Sequence, residues 1–221
     1  MILLALLLAY TPPAGSLLRK AVERAQALGK AREVTLTGTL TVTGEAPRNA
    51  QLGLRFPLQC KLDADGGPSL SVKAGSAEGN AGPALQLLQL SCPLLTFRNV
   101  PKEKDDDNAV RNAAIAAGVD LTAGSALSRF VDRSVYVLGA GARDTARPQL
   151  WLYKDSHAPA RLIAQSGADL RLMQYGNPAA AEWFPRVIEL WSSGQLAARF
   201  EVLETKGLKT GPAEEEDDSE E

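Results

Sequence analysis

Strict alternation of apolar and polar residues is the feature that most constrains how this chain can fold. In residues 34–44, VTLTGTLTVTG, Val34, Leu36, Leu40 and Val42 alternate with threonines. Successive side chains of a β-strand point to opposite faces, so a period of two residues separates a buried face from a solvated one. Threonine and valine also favour extended backbone. The stretch therefore predicts a half-buried strand.

The next run, residues 51–62, has the same period. Six apolar side chains share one of its faces: Leu52, Leu54, Phe56, Leu58, Cys60 and Leu62. Pro57 lies inside the run, and its missing N–H is tolerated only at a sheet edge or a bulge. The run predicts one long strand with an irregularity at Pro57, followed by a turn at Asp65-Gly66-Gly67 and a third strand at 69–74.

After residue 131 six short alternating segments follow one another. Gly- and Ser-containing turns separate them, and no crossover helix lies between them, so neighbouring strands should run antiparallel. Helices are predicted at 16–31, with Ser16 as the cap, at 83–95, and in the Ala-rich stretch that Gly118 ends. The pattern predicts a single α+β domain with a long antiparallel sheet.

The two ends of the chain differ in character from the rest. Residues 2–10, ILLALLLAY, are too few to span a bilayer but suit the apolar part of a signal peptide. No Lys or Arg precedes them and no clean cleavage site follows, so a misplaced start codon and a buried first helix are the alternatives. The last nine residues, AEEEDDSEE, predict a disordered, solubilising tail or a contact with a basic partner. We therefore divide the chain into an apolar N-terminal segment (1–15), one domain (16–210) and an acidic tail (211–221).

Two cysteines, Cys60 and Cys92, permit one disulfide in an exported protein. The other interpretation is two small buried apolar side chains. Cys60 shares the inward face of its strand, and Cys92 lies on an apolar helix that should cover that face. We therefore predict that they pair.

The sequence offers little support for catalysis or nucleic-acid binding. The net charge is −2, and the one histidine, His157, lies in a turn-like KDSHAPA segment. A serine nucleophile needs a base within reach, a zinc site needs more ligands, and Gly139-Ala140-Gly141 lacks the third glycine and the helix of a dinucleotide fingerprint. We expect no enzymatic activity, no cofactor, no metal site and no nucleic-acid partner.

Large apolar side chains remain as the feature to explain. All three tryptophans lie between residues 151 and 191, and two belong to a predicted hairpin. A two-residue turn at Ser193-Gly194 would pair Trp191 with Leu196 and Val187 with Phe200. The rings then serve as wall material, either for a cavity or for sealing a helix onto the sheet.

Two segments carry a resemblance to a known family. Residues 149–162, QLWLYKDSHAPARL, and 182–202, EWFPRVIELWSSGQLAARFEV, resemble paired-strand segments of bacterial outer-membrane lipoprotein-sorting proteins, the LolA-like superfamily. The middle segment LLQLSCPLLTFRNVP is also similar, and the resemblance spans about residues 17–208. It implies a half-barrel sheet wrapped around a few helices, a periplasmic location, lipid or acyl chains in the hollow, and no enzymatic activity. The family's lid-holding arginine is not assigned to Arg55, because alternation places Arg55 opposite Leu54 and Phe56.

The resemblance and the apolar faces together predict a carrier or binding module for lipid or acylated lipoprotein. The expected partners are lipid or lipoprotein acyl chains and envelope proteins, with no stable membrane span. The alternative is a sensor or interaction domain of the same fold in the cell envelope. The expected ligand-binding wall consists of Leu36, Leu40, Leu54, Phe56, Val187, Trp191 and Phe200.

Overall fold

A computed structural model describes residues 11–26, 33–97, 109–176 and 183–207. The helices are α1 (Ala14–Gln26), α2 (Pro83–Leu95) and α3 (Ala109–Ala116). The first five strands are β1 (Glu33–Val42), β2 (Arg48–Arg55), β3 (Gln59–Ala64), β4 (Leu70–Lys73) and β5 (Ser76–Glu78). The others are β6 (Ser125–Phe130), β7 (Arg133–Leu138), β8 (Gln149–Tyr153), β9 (Pro159–Ile163), β10 (Asp169–Tyr175), β11 (Pro185–Ser192) and β12 (Gln195–Lys206).

All twelve strands form one open sheet in the order β5-β4-β3-β2-β1-β12-β11-β10-β9-β8-β7-β6. Every pairing is antiparallel, and the first and last strands, β1 and β12, meet at its centre. Helix α2 contacts β3 and β4 as well as β10, β11 and β12. Helix α2 thus contacts strands on both sides of the central β1–β12 pair. The open antiparallel sheet with its described helices confirms the predicted α+β half-barrel.

The alternating pattern builds the main core on the face that the helices cover, which we call the helical face. Leu36, Leu52, Leu172, Ile188 and Phe200 from five strands are all buried there together with leucines of α1 and α2. The threonines of β1 lie on the opposite face, which we call the outer face. The pairing of β1 with β12 shifts its register between Thr37 and Gly38. A Cβ at Gly38 would overlap the carbonyl oxygen of Glu201, so this close approach requires a glycine.

The single strand predicted for residues 51–62 is wrong, because the chain turns back at Pro57. Strand β2 ends at Arg55 and β3 begins at Gln59, with the two strands paired through Leu54 and Cys60. Pro57 cannot donate to a ladder, so the turn is the place that tolerates it. Leu52, Leu54, Cys60 and Leu62 still share the helical face, as the alternation predicted.

One helix start and two whole strands differ from the prediction. Helix α1 begins at Ala14 rather than after Ser16, because the carbonyl of Pro13 already accepts bonds from the N–H groups of Ser16 and Leu17. Strand β6 was not predicted, and neither was the short β5. The predicted helical residues 27–31 lie outside the described part of the chain. Among the helices that the structure describes, none is both long and apolar enough to cross a membrane.

The predicted hairpin register is right at the turn and wrong beyond it. Ser192 pairs with Gln195 and Trp191 with Leu196, as a two-residue turn requires. A bulge then shifts the pairing, so Ile188 rather than Val187 lies opposite Phe200. Side chains alternate with a period of two, so a shift of one residue exchanges the faces.

The predicted disulfide is present. Cys60 of β3 and Cys92 of α2 are bonded across 32 residues of sequence, and both side chains are buried in the main core. The bond ties α2, which contacts strands of both halves of the described sheet, to one of those halves.

Candidate ligand cavity

A cavity of about 270 Å³ opens on the helical face where β1, β3 and β4 meet the first turn of α2. Its wall includes leucines that the strands and helix direct inward: Leu40, Leu62, Leu70 and Leu85. All four have less than a tenth of their surface exposed. The cavity therefore adjoins the main core, and apolar atoms form the larger part of its lining.

Small residues explain why this end of the core is not filled. Ala64 at the end of β3, Gly67 in the following turn, and Gly82 and Ala84 at the start of α2 all line the cavity. Further along α2, Leu87, Leu88 and Leu94 are almost fully buried and close the space against the sheet. The hollow thus lies where side chains of the helix are too short to reach the strands.

The mouth of the cavity carries one ion pair. Arg48 lies 2.6 Å from Glu45, and both side chains remain more than a third exposed. A Cβ at Gly67 would come within 3.1 Å of the Arg48 guanidinium, so a glycine at this turn gives that side chain room. An apolar interior with a polar rim suits a chain that carries a polar end group.

The predicted wall residues divide into three groups. Leu40 lines the cavity, whereas Leu36, Leu54 and Phe200 are completely buried in the filled part of the same face. Phe56 lies in the β2–β3 turn, half-buried against the core. The remaining lining leucines, at 62, 70 and 85, were not predicted as ligand-binding, because the sequence did not show which end of the apolar face the helices leave open.

Val187 and Trp191 do not belong to this wall. They lie on the outer face, opposite Met173, Glu201 and Asp169, whereas their neighbours Ile188 and Leu190 face the helices. The register shift of the β11–β12 hairpin accounts for the error, because it separates Val187 from Phe200.

Two of the three tryptophans take part in a network of charged and aromatic groups on the outer face. Asp169 accepts hydrogen bonds of 2.7 and 2.8 Å from Arg161, and Arg171 donates to the same carboxylate. The guanidinium of Arg161 lies 4.9 Å from the Trp151 ring, and that of Arg171 lies 4.2 Å from the Trp191 ring. We call these five residues the outer-face network.

The network changes the acidity of its central carboxylate. Burial by itself would raise the pKa of Asp169, but the hydrogen bonds and positive charges of Arg161 and Arg171 outweigh burial and hold that pKa below its usual value. Trp191 also donates to Glu189, which accepts from Arg199, so the contacts continue onto β12. These hydrogen bonds join side chains of β9, β10, β11 and β12 on one face, while the buried Nε of Arg199 has no hydrogen-bond partner among the described residues.

The third tryptophan lies at another edge of the core. Arg24 of α1 places its guanidinium 5.4 Å from the Trp183 ring and 5.3 Å from the Tyr175 ring, and donates to the Trp183 carbonyl. Desolvation lowers the pKa of Arg24. This contact packs the end of α1 against the sheet. Trp183 therefore has the second of the two roles predicted for the aromatic rings, that of sealing a helix onto the sheet.

The one histidine of the chain packs against an aromatic ring. The ring centroids of His157 and Tyr136 lie 6.1 Å apart, and burial lowers the pKa of His157. Among the described residues, no group of three or more His, Cys, Asp or Glu side chains could hold a metal ion.

Comparison with known proteins gives structural matches only. No family model and no curated protein matches the chain. Among solved structures, an outer-membrane lipoprotein-sorting protein domain from Vibrio parahaemolyticus is 12% identical, with a TM-score of 0.48 over 91% of this chain and 95% of that one. A LolA superfamily protein from Nitrosomonas europaea is 15% identical, with a TM-score of 0.43 over 91% and 96%. A MucA/MucB complex from Pseudomonas aeruginosa gives 17% identity and a TM-score of 0.32 over 91% and 59%.

These matches include the superfamily that the sequence resemblance named. Identities of 12–17% and TM-scores below 0.5 carry no argument about ligand or activity. The function is therefore argued from the geometry of this chain.

Proposed function

We propose that the protein is a binding module of the bacterial cell envelope that holds an apolar chain of a lipid or acylated lipoprotein. One observation carries the proposal: the leucine-lined cavity of about 270 Å³ on the helical face. Its volume of about 270 Å³ is slightly below the range of about 300–1,000 Å³ usual for ligand pockets, so it would hold only part of an acyl chain. Its interior would exclude water from that chain at a gain of about 25 cal/mol per Å² of apolar surface.

The disulfide supports an envelope location for this function. Bonds of this kind persist in oxidising compartments, of which the bacterial periplasm is one. The apolar residues 2–10 fit an export signal. Binding rather than catalysis is the activity that this arrangement suits, since the cavity offers leucines and one ion pair at its mouth.

A second candidate is an interaction or sensor domain of the same fold that carries no lipid. The observation that favours it is the dense packing of the rest of the helical face, where Leu36, Leu54 and Phe200 have no exposed surface. In that case the cavity would be a packing defect at the end of α2. The two candidates differ in whether the cavity takes up an apolar chain.

Uptake of a fluorescent fatty acid by the full chain tests the proposal. Ala64 is half-buried and lines the cavity, so Ala64→Phe should fill it and abolish most of the uptake. Ala77 of β5 is the matched control, because it is also half-buried against the core but does not line the cavity. Ala77→Phe should leave uptake near that of the wild type.

Thermal melting should be measured for both variants to establish that each is folded. Because both substitutions add a phenyl ring at a half-buried position, a difference in uptake between them then reports on the cavity. Native mass spectrometry of protein from its own host should also show a bound lipid. A wild-type protein that takes up no probe, or equal uptake by the wild type and the folded Ala64→Phe variant, would show that the cavity is not a lipid site.

A further inference from the structure

The outer face carries a second hollow, of about 420 Å³, over strands β1 to β4. Two rows of cross-strand neighbours line it. One row is Glu33, Arg55, Gln59 and Lys73, and the other is Thr35, Gly53, Lys61 and Ser71. We call this hollow the outer trough; most of the residues that line it are polar or charged, and it lies on the opposite side of the sheet from the ligand cavity.

Gly53 forms the floor of the trough. It occupies the middle of β2, where a side chain would project into the trough, and a Cβ there would meet no atom closer than the carbonyl oxygen of Lys61 at 3.8 Å. A glycine inside a strand is unfavourable by itself and often marks a place where another backbone approaches closely. Packing within the sheet does not require this glycine, and its missing side chain leaves the trough open to an occupant.

The trough has more positive than negative side chains. Lys61 is paired with Asp63 at 2.9 Å, and hydrogen bonds from Ser69 and Lys61 lower the pKa of that carboxyl. Arg55 and Lys73 form no ion pair with a carboxylate of the described residues. Glu33 also lines the trough, opposite Arg55, so the trough keeps a small positive excess with two cationic groups that an anionic occupant could contact.

The acidic C-terminal segment of the chain begins beside the outer trough. Lys206, at the end of β12, pairs with Thr35 of the trough, and the following Gly207 packs so closely on β1 that a Cβ would lie 2.6 Å from the Glu33 carbonyl oxygen. Residues 208–221 begin at that point. They include seven carboxylates within AEEEDDSEE, and the whole chain has a net charge of −2, so the rest of the chain is net positive.

The segment is long enough to reach every part of the trough. Crossing from β1 to β4 requires three strand spacings, about 14 Å. The six residues 208–213 that precede the first carboxylate can span about 20 Å when extended. The acidic run 214–218 can therefore lie over Arg55, Lys61 and Lys73.

We propose that the acidic C-terminal tail docks in the outer trough of its own chain and neutralises Arg55 and Lys73. Attachment at Gly207 makes the contact intramolecular, so weak ion pairs act at a high effective concentration. The contact is electrostatic and exposed, and salt near 1 M, where the screening length is about 3 Å, releases the tail.

Carbodiimide cross-linking of the full chain tests this, because it joins carboxylates and amines only where they touch. Mapped by mass spectrometry at low salt, cross-links from residues 214–218 should concentrate on Lys61 and Lys73. Lys20 on α1 and Lys154 in the β8–β9 turn are exposed lysines away from the trough and serve as internal controls. The trough-specific cross-links should disappear at 1 M salt.

Gly53→Trp should fill the trough without disturbing β2 and should remove most of these cross-links. Thr39→Trp, on the same face but outside the trough, is the matched control. Mixing ¹⁵N-labelled with unlabelled protein separates contacts within one chain from contacts between chains. Cross-links spread evenly over all exposed lysines, found mainly between chains, or unchanged in a folded Gly53→Trp variant would overturn the proposal.

Discussion

At the scale of single residues, Asp169 shows how charge is managed on a partly buried sheet face. Its side chain is 13% exposed and lies between the guanidinium groups of Arg161 and Arg171. These arginines in turn cover Trp151 and Trp191. Removing the carboxylate would leave two neighbouring positive charges with no anion between them.

We expect Asp169→Asn to lower the free energy of unfolding by about 3 kcal/mol at pH 7, because an unpaired and partly buried charge is costly. Chemical denaturation measures this. Glu201→Gln is the matched control, since Glu201 contacts Arg199 on the same face but is 53% exposed, and this change should have little effect. Equal effects of the two substitutions would contradict the central role given to Asp169.

The same carboxylate predicts a dependence of stability on pH. Its pKa is lower in the folded state than in the unfolded chain, where aspartate titrates near 3.9. The stabilisation is therefore complete above about pH 4 and is lost as the pH falls through the folded pKa. Unfolding curves between pH 2 and pH 7 should show a smaller acid-induced loss of stability for Asp169→Asn than for the wild type.

At the scale of elements, the contact between β3 and α2 combines packing with a covalent bond. Cys60 and Cys92 close a loop of 32 residues that contains β4, β5 and the small residues lining the cavity. Constraining such a loop in the unfolded chain stabilises the fold by about 3–4 kcal/mol.

We expect reduction of the wild-type protein to lower the free energy of unfolding by about this amount, measured by urea titration with and without reductant. The double variant Cys60→Ala/Cys92→Ala is the control for effects of the reductant itself, and its stability should not respond to reductant. If oxidised and reduced wild type unfold at the same urea concentration, the bond contributes nothing to stability. Two free thiols in the purified protein, detected by mass under denaturing conditions, would show that the bond does not form.

At the scale of the whole molecule, the strands nearest the two ends of the domain meet in the centre of the sheet. Strand β1 pairs with β12 on one side and β2 on the other, whereas β5 and β6 are the outer strands. The contact between β1 and β12 joins residues more than 150 positions apart, for example Leu40 and Phe200. Each strand of the central pair has a paired neighbour on both sides, whereas β5 and β6 each pair on one side only in the described sheet.

We expect native-state hydrogen exchange to show this hierarchy. Amides shared between β1 and β12 should exchange only through global unfolding, whereas amides of β5 and β6 should exchange through smaller openings. The variant Cys60→Ala/Cys92→Ala provides a comparison, because its free energy of global unfolding, which is the highest protection an amide can show, should be lower. Protection of β6 equal to that of β1 would show that the sheet has no such gradient.

The sequence determined most of the secondary structure and one long-range contact. Alternation in β1 placed Leu36 and Leu40 on the buried face, and the Gly- and Ser-containing turns located most of the later strands. The apolar faces of β3 and α2 also correctly predicted that Cys60 pairs with Cys92. These features are local, because side-chain period and turn chemistry act over a few residues.

Only the tertiary structure decided which apolar face is filled and which part stays open. A bulge in the β11–β12 hairpin placed Val187 and Trp191 on the outer face, away from Phe200. The cavity exists because small residues of α2 meet Leu40, Leu62 and Leu70 across long sequence distances. Register shifts and packing gaps depend on how distant elements fit together, and no local pattern in the sequence encodes that fit.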